Sequence, residues 1–222
     1  MPGLNWFPVY LSLKVATLAT LASMVAGTPL AWLLARRRTP GSDLASSLVT
    51  LPMVLPPTVL GYYLLVLLGR QGPLGRFLER QFGWSLVFTW QGAVAAAWVV
   101  ALPLVVRSAQ AAFEAVDSDL EAVARTLGRS EAQVFLRVTV PLAWRGILAG
   151  AVLAFTRAMG EFGATLMVAG NIPGRTQTLS VAIYDAVQAG DAALANALVV
   201  LVSGVSLVLL LLLARTGRLA KW

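Results

Sequence analysis

ALANALVVLVSGVSLVLLLLLA, residues 193–214, contains no ionisable side chain. As an α-helix rising 1.5 Å per residue, a run of this length covers about 30 Å, the thickness of a bilayer's hydrocarbon core. A helix also bonds its own backbone N–H and C=O groups, which lipid cannot do for it. The rest of the chain agrees with this stretch. Of 222 residues, 58% are hydrophobic and only 12% charged, where a soluble domain carries about a quarter charged. The sequence therefore specifies an all-α, polytopic membrane protein.

Working outward from residues 193–214, four more spans account for the chain. The first runs from about Pro8 to Leu34, with Trp6, Phe7 and Tyr10 as interfacial anchors and Arg36, Arg37 and Arg38 as its stop. The second covers about Leu44 to Leu68. Pro52, Pro56 and Pro57 cannot all sit in one straight helix, so it is kinked or begins as a separate short element. The third runs from about Leu86 to Ala112, bent by Pro103. The fourth begins just beyond Pro141 and reaches Ala169. Links are short apart from the one between spans three and four and the one from Gly170 to Ala192, and no internal repeat is visible. One membrane domain, 1–222, is expected, with residues 117–142 as a polar region within it.

Basic residues orient the set. The side holding Arg36 to Arg38 also receives Arg107, Arg125, Arg129, Arg137 and Arg145, then Arg215, Arg218 and Lys221, eleven in all. The other side holds four: Arg70, Arg76, Arg80 and Arg175. By the positive-inside rule the first side is cytoplasmic, the N-terminus faces outward and the C-terminus inward. The net charge of +7 is thus topology rather than a nucleic-acid footprint. The N-terminal stretch lacks the basic region of a cleavable signal and is read as unprocessed. With no Cys and no His, disulfides and the usual zinc, haem and Cys–His constellations are excluded. No metal or cofactor is expected.

The most polar piece, EAVARTLGRSEAQVFLRVTVPL at 121–142, falls on the cytoplasmic side. Asp117 or Ser118 can cap a helix in which Leu120, Val123 (or Ala124) and Leu127 share one side and Glu121 and Arg125 pair at i, i+4. Gly128 ends it. Ser130 with Gln133 makes a capping box for a second short helix, and Pro141 marks the approach to the next span. Two readings fit these residues equally: a linker resting on the membrane surface, or a docking element whose apolar ridge fits a groove in a soluble partner.

The spacing resembles the cytoplasmic signature of permease subunits in bacterial ATP-driven importers. There a Glu-Ala-Ala opening leads to a Gly, followed after nine residues by an Ile-x-Leu-Pro close. This chain has Gly128, nine residues, then Val138, Thr139, Val140 and Pro141; Glu121 stands seven residues before Gly128, one further than the general pattern. The resemblance implies a MetI-like, type I importer fold whose two short helices dock in a cleft of an ATP-binding subunit. Glu121, Ala122, Ala124 and Gly128 would form the docking core, the small residues permitting close approach and Glu121 pairing with a basic group on the partner, with Pro141 closing the motif.

TRAMGEFGATLMVAG, 156–170, puts Arg157 and Glu161 in the fourth span. From Ile147, Arg157 lies about 15 Å along the helix, near mid-membrane, and the spacing of four lets the two charges neutralise each other. Three roles are open: a packing pair, a gate-adjacent pathway element, or direct anion binding by Arg157. Lys14 can snorkel. In the outer link, Asn171, Pro173 and Gly174 signal a turn, while TQTLSVAIY is too apolar for a free loop. Residues 179–187 also fit an amphipathic helix at the interface.

RAMGEFGATLMVAGNIPGRTQTLSVAIYDAVQAGD and LPMVLPPTVLGYYLL closely resemble the molybdate permeases, and the likeness covers nearly the whole chain; sulfate and tungstate permeases are relatives. It implies an inner-membrane homodimer enclosing one pathway, two ATP-binding subunits inside and a periplasmic oxyanion-binding protein outside. That protein would meet the link at Asn171, Pro173, Gly174 and Thr176. The chain has no Walker glycine-lysine motif, so hydrolysis falls to a partner and the chain itself is not an enzyme. A membrane enzyme would need a polar constellation that only Arg157 with Glu161 approaches. A non-transport assembly subunit is the alternative of another class.

Overall fold

The computed structural model describes residues 5–36 and 41–218, with side chains described as far as residue 214. Arg37, Arg38 and Lys221 therefore lie outside the described residues, as do the side chains of Arg215 and Arg218. Helix α1 (Phe7–Arg36) starts where the Asn5 side chain accepts the Phe7 N–H at 3.0 Å. The second span is two helices, α2 (Ser42–Val54) and α3 (Pro57–Leu68), meeting at 112°. The cause is local: Pro56 and Pro57 have no N–H to continue the ladder, and each proline pushes its predecessor to extended geometry, ψ 140° at Leu55 and 137° at Pro56.

Helix α4 (Pro73–Phe82) occupies a link in which the sequence pattern signalled no element. Helix α5 (Trp90–Glu114) begins four residues later than expected, because Thr89 caps it by accepting the Gly92 N–H at 3.2 Å. Helix α6 (Ser118–Thr126), α7 (Glu131–Val134) and a π-turn (Phe135–Thr139) lead into α8 (Val140–Met159). The fourth span does not run unbroken to Ala169. It stops at Gly160 and resumes as α9 (Gly163–Ala169). Helices α10 (Leu179–Gln188) and α11 (Ala192–Arg218) complete the described chain. Among the described residues, four elements are long and apolar enough to cross a membrane, and the bent α2–α3 pair together has the length and composition of a fifth.

Helix α5 is the hub. Its buried positions, among them Ala93, Ala97, Ala101 and Val105, meet Leu11, Val15, Ala16 and Ala19 of α1 and Ala154 and Ala158 of α8. Lipid is as apolar as these side chains, so burial from water drives little here, and close van der Waals packing must hold the helices. Alanine and glycine supply it. A Cβ on Gly146 would fall 2.3 Å from that of Ala112, and one on Gly150 would fall 3.1 Å from the Val105 Cα. The crossing of α8 over α5 therefore depends on those two glycines. Near the other end, α3 and α9 pack through Leu60, Leu64, Ala164 and Val168. Helix α10 sits on α11 through Leu179, Ala182 and Leu198, while Tyr184 and Val187 on its other side are exposed.

Candidate functional site

At the arginine-rich end of the bundle, α6, α7 and the π-turn form an elbow between α5 and α8. Asp117 caps α6, its carboxylate accepting the Asp119 N–H at 2.9 Å. The helix ends in a Schellman turn: the Gly128 N–H reaches the Arg125 carbonyl at 2.9 Å and the Arg129 N–H the Ala124 carbonyl at 3.2 Å. That turn puts Gly128 at φ 78°, and a Cβ there would meet nothing within 4 Å. Gly128 is thus required by its backbone and not by a tight contact within the chain. Ser130 and Gln133 form the expected capping box. Across the turn, Arg125 donates to both oxygens of Glu131, at 2.6 and 3.3 Å. This pairing is the largest influence on the guanidinium and raises its pKa further above the ordinary value. The exposed fork fixes the angle between the two short helices more than it adds stability.

Pro141 explains the π-turn. It has no N–H for the Arg137 carbonyl, and the ladder before it slips so that the Val140 N–H bonds Phe135. The slip turns Thr139 inward, fully buried, where its hydroxyl donates to Glu121 at 2.7 Å. Glu121 is itself only 3% exposed and forms an ion pair with Arg36 at the end of α1, with Arg125 at 3.5 Å beside it. The carboxylate therefore ties α1, α6 and the π-turn together within one chain, where a basic group on a partner had been expected. Ala124 is buried with it and Ala122 is exposed. What the elbow presents outward is apolar: Leu120, Val123 and Leu127 are 49%, 56% and 76% exposed. Trp32 and Phe113 pack against Phe135 behind it with tilted rings, at centroid distances of 5.1 and 6.0 Å.

Arg157 and Glu161 meet at 2.6 Å where the fourth span breaks. Glu161 is 1% exposed, and its second oxygen accepts the Ala164 N–H at 2.8 Å, so the carboxylate also restarts the chain as α9. Arg157 is 39% exposed and lines a cavity of about 170 Å³ against Pro52, Pro57, Leu60 and Leu104, at the bend between α2 and α3. Lys14 lies 3.5 Å from the centre of the Trp90 ring, a cation–π contact that makes it part of the packing.

At the opposite end, residues 170–178 fold as a tied loop. The Ile172 carbonyl accepts three N–H groups, from Arg175, Thr176 and Gln177, and buried Thr176 accepts the Ile172 N–H at 3.1 Å. Asn171 and Gln177 both donate to Asp185 of α10, at 2.8 and 2.7 Å. The Ser12 hydroxyl of α1 accepts the Leu179 N–H at 2.7 Å. Pro173 and Gly174 remain exposed at the tip.

The sequence profile of the binding-protein-dependent transport system inner membrane component matches residues 27–219. The chain belongs to that family. It is 50% identical over 184 residues to the molybdenum transport system permease protein ModB of Escherichia coli K12, covering 83% of this chain and 80% of that one. The sulfate transport system permease protein CysT of Salmonella typhimurium is 36% identical over 211 residues, 93% of this chain and 76% of the relative. An inward-facing structure of the MetNI methionine ABC transporter superposes with a TM-score of 0.75 at 19% identity, covering all of both chains, which establishes the fold. The protein is thus an inner-membrane transporter subunit.

For a binding-protein-dependent permease, the motif residues divide between frame and surface. Glu121 and Ala124 build the elbow from inside, Gly128 shapes its turn, and Ala122 and Pro141 lie on the exposed side. Sequence reading passed over Arg36, taken only as a span-ending charge, and Thr139, counted only as spacing in the motif's close. No local pattern signals a contact between residues 36 and 121. The π-slip before Pro141 that turns Thr139 inward is visible only as geometry.

Proposed function

We infer that this chain is the permease subunit of an ATP-driven molybdate importer, working as a homodimer. The observation that carries the substrate is the 50% identity to ModB, which spans most of both chains. In this reading the arginine-rich end is cytoplasmic, the N-terminus is outside, and two ATP-binding subunits, which supply the hydrolysis, dock on residues 117–142. The exposed ridge of Leu120, Val123 and Leu127 supports that docking, since it is apolar, rimmed by charge and rigidly held from behind. A load on the ridge reaches the membrane by two routes, through Glu121 to Arg36 of α1 and through the π-turn into α8. A periplasmic oxyanion-binding protein delivers substrate at the opposite end, over the loop of Asn171, Pro173, Gly174 and Thr176. Arg157, facing the cavity at the α2–α3 bend, is the pathway's intramembrane cation, and buried Glu161 sets its position.

The test is uptake by the complex reconstituted with its ATP-binding subunit and binding protein. Vanadate-sensitive molybdate import is expected, competed strongly by tungstate and weakly by sulfate. The 36% identity to CysT makes sulfate the second reading, and stronger competition by sulfate than by tungstate would establish it. Failure of the tagged ATP-binding subunit to co-purify with the chain would sink the transport reading in favour of an assembly role.

A further inference from the structure

The end of the bundle opposite the elbow holds a recess of about 710 Å³ between the end of α3, the start of α5 and the tied loop. Arg70 and Arg175 both line it, with Gln71 and Ser85 as neutral donors and no carboxylate in its wall. Arg70 is 74% exposed, and its ion pair with Glu79 of α4 is long at 3.5 Å. No carboxylate among the described residues pairs with Arg175. Two guanidinium groups in a recess with apolar walls focus a positive potential, and such clefts raise the local concentration of anions by roughly 10- to 1,000-fold. Guanidinium also matches tetrahedral oxyanions in geometry, offering two parallel N–H donors.

A second feature marks the same spot. Phe88 has φ 60°, the only non-glycine residue with positive φ among those described. A bulky residue there is a genuine outlier, and such strain persists where the surroundings enforce it. Here the Phe88 N–H is held by the Val168 carbonyl at 2.9 Å, and its ring lies over Gly170, where a Cβ would come within 3.0 Å of it. The held ring forms a wall shared by this recess and an adjoining one of about 460 Å³, and Thr89 and Arg175 line both. Neither arginine is needed for packing.

We propose that this recess is a receiving site for a hydrated tetrahedral oxyanion, with Arg70 and Arg175 as its charged ligands and Phe88 as its wall. It rests on the reading of the chain as an oxyanion permease and adds the first protein contact that the ion makes after leaving its carrier. The recess is wider than a bare oxyanion, so the contact is loose and fast to leave, as a transfer step requires.

The chain has no cysteine, which allows a clean chemical probe. With Ser85→Cys in the purified complex, an anionic methanethiosulfonate should react about tenfold faster than a cationic one. Molybdate should slow that reaction, and both effects should vanish when Arg70→Gln and Arg175→Gln are added. In liposomes, the double glutamine variant should import molybdate at about one tenth of the wild-type rate, with the binding-protein concentration for half-maximal uptake unchanged. Equal reaction with the two reagents and no protection by molybdate or sulfate would overturn the proposal. So would a double variant whose only defect is a raised requirement for binding protein, which would make the arginines part of the binding protein's docking surface. If the labelling effects hold while wild type imports neither molybdate nor sulfate, the site stands and the importer reading falls.

Discussion

Glu121 receives a guanidinium from Arg36 and a hydroxyl from Thr139 while almost fully buried, and so sits where three segments must agree in position. Removing one member of a buried ion pair leaves the other uncompensated, at a cost of about 3–5 kcal/mol. Arg36 keeps a quarter of its side chain exposed, so the lower end of that range applies. Glu121→Gln is expected to lower the thermal stability of the purified complex, and Arg36→Gln to do the same. The double variant should lose markedly less than the sum, because the two act as one unit. In parallel, more ATP should be hydrolysed per ion imported, since the ridge would move without pulling α1. If Arg36→Gln is silent while Glu121→Gln abolishes association with the ATP-binding subunit, the carboxylate serves the partner and not α1.

The elbow's two short helices depend on one left-handed residue between them. At Gly128, φ 78° excludes a β-branched side chain although the space around it is open. Gly128→Val should therefore disturb coupling through backbone strain of about 1–2 kcal/mol and not through a clash. Gly128→Asn, which tolerates the conformation, should retain most uptake. Measuring uptake and ATP hydrolysis for both separates this from a close-contact role, under which Asn and Val would fail alike. Much of this element was legible, because its caps are local: Asp117, Gly128, Ser130 and Gln133 act on residues within a turn of themselves. The breaks at residues 55–57 and 160–162 divide along the same line. Tandem prolines announce the first, whereas Gly160 and Phe162 look helix-compatible until the Glu161 carboxylate is seen capping α9. Helix α4 is not legible in the pattern because PLGRFLERQF is short and charged; it is bounded by Gly72 and by Gly83, which is left-handed.

Across the whole molecule, the long-range contacts are the least visible in sequence, and α5 carries the largest share of them. Its neighbours reach it through side chains no larger than alanine over much of the interface, so its position couples the elbow, the span break and the recess at the opposite end. That dependence can be tested at one crossing. A methyl group on Gly146 would lie 2.3 Å from the Ala112 Cβ, a separation that forces α8 away from α5. Overpacking of this kind costs about 1–3 kcal/mol. Gly146→Ala should lower thermal stability and reduce recovery of the assembled complex. Ala112→Gly vacates the same space at a helix-propensity cost of about 1 kcal/mol, so alone it should be mildly destabilising. Combined with Gly146→Ala it should restore most of the lost stability. Strict additivity of the two changes would show that α8 and α5 do not meet at this point, and would remove the physical link by which motion at the elbow reaches the rest of the bundle.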